Sequence, residues 1–491
     1  MINRRTFLTG AGAAAAIVGF DPMRRQWVTA ADAADAPAFA DIPPLDGTLV
    51  LDAAARQAVA ADQGNIVHRT PGAVLEPGSV RDISVMIRYC GRRDIPVSAR
   101  GQGHHMFGYA LSAGLVINNR SLSRIHSITP DGAEVDTGVL WRDLVTAAYE
   151  QKLRPPVLTG YTELTVGGTL SVGGVGGLTG GLHTGLQVDH VRRLEVVTGT
   201  GRVEDCSPEC GGDLFDAVLA GLGQCGVMTR ATVDLVPAKE QARTYLLHYA
   251  DSTTAFADFR TLLDRPGLDH VILACVPPGV ADFSYLINIT VFYDLAAPPD
   301  DHRLLGGLHA APVIQDAGYL DFTFHGDTVI DHNRATLGWD RFVKPWFNVW
   351  LPDSTVEQYV SEVVATLTPE DVGTTGSVAL FPYRRNRITR PLLRIPERDG
   401  SGWVYAFNML TAANSADPRP GYIQDMLARN TRLLHRARDA FGGVFYPIGA
   451  VPLSHDDWRG HYGRKWRRFE ADKNRFDPHH ILARGVGIFA P

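Results

Sequence analysis

Ile95-Pro96-Val97-Ser98-Ala99-Arg100-Gly101-Gln102-Gly103-His104-His105 is the stretch that decides the fold. A short apolar-polar strand runs directly into a glycine turn. Glycines there can take positive φ and bring bare backbone N–H groups against a diphosphate, while the adjoining histidine offers a ring nitrogen to a flavin. A second glycine cluster, Thr165-Val166-Gly167-Gly168-Thr169-Leu170-Ser171-Val172-Gly173-Gly174-Val175-Gly176-Gly177-Leu178-Thr179-Gly180-Gly181, would form a close-packed wall against a long cofactor. Two such clusters suit a ligand as extended as a dinucleotide. The first turn fails as a Rossmann nicotinamide site, because Met106 occupies the third glycine position.

The rest of the composition bounds the answer. At 491 residues the chain exceeds one ordinary core and implies two large domains or three smaller ones. Hydrophobic residues at 45% and charged residues at 20% describe a folded globular protein. The 50 glycines crowd between positions 101 and 226, which points to backbone–ligand contact in the first half. A formal net charge of −6 without a basic stripe excludes a nucleic-acid partner. The short run Tyr383-Arg384-Arg385-Asn386-Arg387 reads as a solvated face, with contact to an anionic substrate as the sharper alternative. Cys90, Cys206, Cys210, Cys225 and Cys275 lack the C-x-x-C spacing of a zinc site, so no metal is expected. Cys206 and Cys210 flank a Ser-Pro-Glu turn and suit either a bridge or two free thiols.

Asn3-Arg4-Arg5-Thr6-Phe7-Leu8, followed by an alanine- and glycine-rich run to Phe20, has the parts of a twin-arginine leader over residues 1–38. Its apolar run is too short to span a bilayer. Export to a periplasm or the medium is expected, by a route that carries chains already folded around a cofactor.

Along the body, 66–68 and 73–75 read as strands, and 80–90 has helical spacing with Val80, Ile83, Val85, Met86 and Ile87 concentrated on one side. Strands are expected at 96–98, 115–118, 133–137, 194–198 and 229–235, and helices at 140–151 and 213–219. The class is α+β. From about 240 to 440, aromatic residues, prolines and helix-like segments dominate, as though built for pocket walls. The last fifty residues carry Trp458, His461, Tyr462, Trp466 and Phe469 at amphipathic-helix spacing, then Phe476-Asp477-Pro478.

These residues resemble the vanillyl-alcohol-oxidase type of FAD-linked oxidoreductase, and within it the cytokinin dehydrogenases and berberine-bridge-like flavin oxidases. The resemblance rests on Gly101-Gln102-Gly103-His104-His105, Leu164-Thr165-Val166-Gly167-Gly168-Thr169-Leu170-Ser171, Val196-Val197-Thr198-Gly199 and the 213–224 segment. It extends to Trp466, Phe469, Phe476-Asp477-Pro478 and Ile481-Leu482 near the end. It implies a two-part FAD-binding domain of the PCMH type over 45–240, an inserted α+β substrate domain over 241–440, and a segment over 441–491 that returns to the FAD side. It also implies FAD joined covalently through His104 to the flavin 8α carbon. Expected cofactor contacts are Arg100, Gly101, Gln102, Gly103, His104, His105, Gly108, Thr165, Gly168, Ser171, Gly173, Gly174, Gly177, Gly226 and Val227.

One departure bears on chemistry. Cytokinin dehydrogenases have an aspartate that accepts the substrate's amine proton, and here Gly160 of Leu158-Thr159-Gly160-Tyr161 takes its place. An assisting glutamate is matched by Asn288. The resemblance thus implies an FAD-dependent oxidase or dehydrogenase that moves a hydride from another small molecule to flavin N5, with oxygen as the expected electron acceptor. Replacement catalytic groups are sought among Tyr161, Glu163, His183, Asn288 and Tyr383. Two alternatives stand beside this: an amine dehydrogenase with a displaced carboxylate such as Glu163, and a flavin-containing binding protein without catalysis.

Overall fold

The computed structural model describes residues 39–177 and 182–489, with the backbone of two antiparallel strands, Ile17–Asp21 and Gln26–Thr29. Most of the leader expected over 1–38, and Gly180 and Gly181 of the second glycine cluster, lie outside the described residues.

The glycine turn leaves the edge of a four-stranded sheet ordered Thr48–Val50, Ala73–Glu76, Leu115–Asn118, Val97–Arg100. Its last three strands are parallel. Helix Val80–Gly91 covers this sheet with Ile83, Met86, Ile87 and Cys90, all fully buried. The same core takes in Ile481 and Leu482 from the far end of the chain. Val97 donates its N–H to the Ile481 carbonyl and accepts from Ala483, both at 2.8 Å, so the C-terminal segment closes the strand that feeds the turn.

A five-stranded antiparallel sheet follows, ordered Val203–Cys206, Val191–Thr198, Gly226–Val233, Gly132–Asp136, Ile125–Thr129. Residues 66–68, expected as a strand, form a bend instead. The Asp62 carboxylate accepts the N–H groups of Ile66 and Val67 and turns the chain, leaving only an isolated bridge between Ala61 and His68.

The third sheet has eight antiparallel strands, ordered Val313–Gly318, Gln241–Tyr249, Tyr285–Tyr293, His270–Cys275, Ser377–Arg384, Trp403–Leu410, Phe347–Pro352, Val444–Phe445. The region 240–440 thus carries helices such as Ser252–Leu263, His325–Leu337 and Tyr422–Phe441 together with strands of this sheet. Phe347–Pro352 and Trp403–Leu410 bury almost every side chain, and buried strands covered on both faces lose the alternation that marks a strand in sequence. The C-terminal aromatics divide between two helices, His455–Tyr462 and Trp466–Phe476. All five cysteines are free, Cys206 buried and Cys210 exposed. Among the described residues no helix is long and apolar enough to cross a membrane, and no acidic, histidine or cysteine group could hold a metal ion.

Candidate active site

A cavity of about 580 Å³ runs from the glycine turn to the eight-stranded sheet. Its first wall is Val97 to Ala99 and Gly101 to His105. The turn is closely fitted: a Cβ on Gly101 would stand 2.1 Å from Thr165 Oγ1, and one on Gly103, at φ +73°, would strike the Arg100 guanidinium at 2.2 Å. Thr165 caps the short helix Val166–Leu170, accepting from Gly168 N–H, so the two glycine clusters meet at this hydroxyl.

The His104 ring lies 5.2 Å from that of Tyr161 and 5.5 Å, edge-on, from that of Trp346. Burial, followed by the charges of Lys344 and Arg334, pushes its pKa down to about 3. The imidazole is therefore neutral at physiological pH, with an in-plane lone pair on one of its two ring nitrogens. His105, also driven well down by burial, has no hydrogen-bond partner on either ring nitrogen.

The opposite wall comes from the later sheet and its crossovers: Val329, Ile330 and Asn333 of helix His325–Leu337, then Trp339, Phe381 and Asn408. Between the walls lie Thr159, Gly160 and Tyr161. No aspartate, glutamate, lysine or arginine lines the cavity among the described residues.

Residues 71–207 match the FAD binding domain family, and residues 285–489 match the family described as cytokinin dehydrogenase 1, FAD and cytokinin binding. An uncharacterized oxidoreductase, ORF5 in the fasciation locus of Rhodococcoides fascians, is 36% identical over 87% of this chain and 95% of its own. The chain belongs to the cytokinin-dehydrogenase-like family of FAD-dependent oxidoreductases. Cytokinin dehydrogenase 2 of Arabidopsis thaliana is 30% identical over 91% of this chain and 95% of its own, and cytokinin dehydrogenase 1 of Oryza sativa subsp. japonica is 32% identical over 90% and 92%.

The residues present fit FAD. Two unpartnered buried nitrogens on His105 and bare glycine backbone at Gly101, Gly103 and Gly168 along the cavity are what a bound dinucleotide needs. Of the contacts expected from sequence, Gly101, Gln102, Gly103, His104, His105, Thr165, Gly168, Gly174, Gly177, Gly226 and Val227 line the cavity. Four do not. Arg100 turns back to the Ala61 carbonyl, and Gly108 gives its N–H to Asp62. Ser171 bonds the Gly167 carbonyl within its own helical turn, and Gly173 packs toward Leu393.

The catalytic candidates scatter more widely. Tyr161 lines the cavity, but burial raises its phenol pKa, and the hydroxyl donates to Glu163 at 2.9 Å while accepting from Arg334 at 2.8 Å. It is a hydrogen-bonded wall residue and no base at neutral pH. Glu163 sits behind it, outside the cavity, 3.6 Å from Arg334. His183 does not line the cavity and packs near Trp403, 6.2 Å between rings. Asn288 is paired in register between Leu246 and Ile272, away from the cavity. Tyr383 is fully buried and donates to the Gly176 carbonyl at 2.8 Å, supporting the glycine wall from behind.

Sequence reasoning missed the wall of Val329, Ile330, Asn333 and Asn408, and also Leu482 and Ala483. Only the C-terminal pair carried a signal, through the family's closing segment.

Proposed function

We propose that the enzyme holds FAD along the glycine wall, joined covalently through His104, and oxidises a neutral small molecule held between Tyr161 and the later sheet. The observation that carries this reading is a single cavity joining the diphosphate turn to a chamber without charged side chains. FAD, when bound, supplies hydride acceptance at N5 and returns the electrons to an acceptor, here oxygen.

The chain's own residues do the rest. Backbone N–H groups at 101–104 would hold the diphosphate, the His105 N–H being taken by the Gly103 carbonyl, and the neutral imidazole of His104 keeps the lone pair that attachment requires. Asn333, Thr375 and Ser377 offer an amide and hydroxyls that orient a neutral substrate, while the Asn408 amide is held by Asn348 and the Ala406 carbonyl. Val329, Ile330, Trp339, Phe381 and Leu410 exclude water, which strengthens each of those polar contacts. No carboxylate on the lining takes a proton. Glu163, the displaced base of the amine-dehydrogenase alternative, is engaged by Tyr161 and Arg334 and faces away from the chamber. Export is proposed from the paired arginines Arg4 and Arg5 ahead of an apolar run.

Anaerobic mixing with a panel of alcohols, sugars and amines tests the reading. Bleaching of the flavin by one neutral class, with hydrogen peroxide formed on admitting air, is expected. Flavin that stays oxidised against the panel while its spectrum shifts with ligands would instead establish a binding protein.

A further inference from the structure

Helix His325–Leu337 forms one side of the substrate chamber with Gly326, Val329, Ile330 and Asn333, yet it is attached in an unusual way. Its only buried residue is Asp327. Val329 and Leu337 are 44% and 47% exposed, so no apolar face holds the helix to the body. A helix of this length gains little stability alone, and helices in proteins are normally held by a buried apolar stripe.

Polar contacts replace that stripe. The Asp327 carboxylate accepts from the Thr162 N–H at 2.8 Å, from the Thr162 hydroxyl, and from Arg142 at 2.9 Å. Two turns further along, Arg334 donates to the Tyr161 hydroxyl at 2.8 Å and pairs with Asp331 and Asp340 at 3.1 Å. Both contacts land on the segment 159–164 that lies between the cavity's walls. Beyond the helix, Gly338 sits at φ +68°, a left-handed joint. Before it, Phe324 breaks from the preceding helix, Tyr319–Thr323.

We infer that helix His325–Leu337 is a gate over the substrate chamber, latched shut by Asp327 on Thr162 and Arg142 and by Arg334 on Tyr161. The inference rests on reading the cavity as the substrate chamber. Asp327 and Arg334 are positioning residues. They hold a wall in place without lining the cavity themselves, and releasing them frees a segment that carries almost no buried apolar surface.

Hydrogen–deuterium exchange on the full chain tests this with Arg334→Met and Asp327→Asn. Amides of residues 326–337 are expected to exchange at least about tenfold faster in each variant, while the eight-stranded sheet and the Tm stay unchanged. Dithionite should reduce bound flavin about fivefold faster or more in Arg334→Met, because the chamber opens more often. Unchanged exchange in the helix overturns the gate. So does exchange raised throughout with a fall in Tm, or faster exchange without faster reduction. Should Asp327→Asn fail to fold, Arg334→Met decides alone. Exchange does not depend on flavin, so a colourless protein with a freed helix would refute the flavin reading and not the latch.

Discussion

Gly160 lies against Gly177 with its own Cβ direction open: a Cβ built on Gly160 meets nothing nearer than the Gly177 Cα, at 4.0 Å. Where the resemblance to cytokinin dehydrogenases implies a carboxylate, this chain has glycine and room for one. Gly160→Asp should therefore fold and keep its flavin, with a carboxyl that titrates above the usual range among apolar neighbours. Stopped-flow mixing with an N6-substituted adenine-type amine should bleach the flavin at least about tenfold faster than in the parent, an effect of the size general base catalysis provides. Equal rates would show that more than this side chain separates the two chemistries.

The meeting of the glycine clusters predicts a steric defect. Gly101→Ala drives a methyl group to 2.1 Å from the Thr165 hydroxyl, in a turn whose neighbours are fixed by the Val166–Leu170 cap. Overpacking of this kind costs about 1–3 kcal/mol. Urea titration should show that loss, and the purified variant should carry less flavin per chain. Gly279→Ala, at a glycine with nothing within 4 Å but at φ +82°, should pay only the backbone cost and keep its full flavin content.

Asp477 of the closing segment is structural. Its carboxylate accepts from Lys473 at 2.7 Å and from the Ile481 and Leu482 N–H groups, while Lys473 also donates to the Gln224 and Leu482 carbonyls. Both side chains are almost completely buried. Lys473→Met leaves the carboxylate unpaired and should cost about 3–5 kcal/mol by denaturant unfolding. A loss below about 1 kcal/mol would mean that the pair does not hold the C-terminal return.

His461 predicts a pH dependence. Burial among Phe445, Trp458 and Tyr462 pushes its pKa down to about 3 from an ordinary 6.5. The unfolded chain takes up a proton near the ordinary value and the folded chain does not, so stability falls as pH drops from 6.5 toward 3. His461→Phe removes this contribution and should make the slope of stability against pH shallower by about 1.4 kcal/mol per pH unit within that window. Identical slopes would place a charged imidazole in the folded protein.

The cofactor side of the site was legible because its signals are local. Gly101 and Gly103 are demanded by contacts within the turn and with Thr165, and the cap at Thr165 stands three residues before Gly168 in sequence. The substrate side was not. Asn333 and Asn408 come together only through strand pairing and a crossover helix, and neither sits in a recurring pattern. Tyr383 shows the limit of periodicity: it shares a strand and an alternation with Phe381, which lines the cavity, yet lies past its end and serves the Gly176 carbonyl. Tyr161 lines the cavity, but its chemistry is not readable from the sequence. Only the structure shows the burial and the Glu163 carboxylate that keep the phenol protonated against the opposing pull of Arg334.

The proposed function stands on FAD held in the cavity and anchored to His104. The absorption spectrum of the purified protein, followed by acid precipitation, tests it most directly. The expected result is a yellow protein whose pellet stays yellow, and a His104→Ala variant whose colour passes into the supernatant. A folded, monodisperse protein that is colourless and takes up no FAD would contradict it.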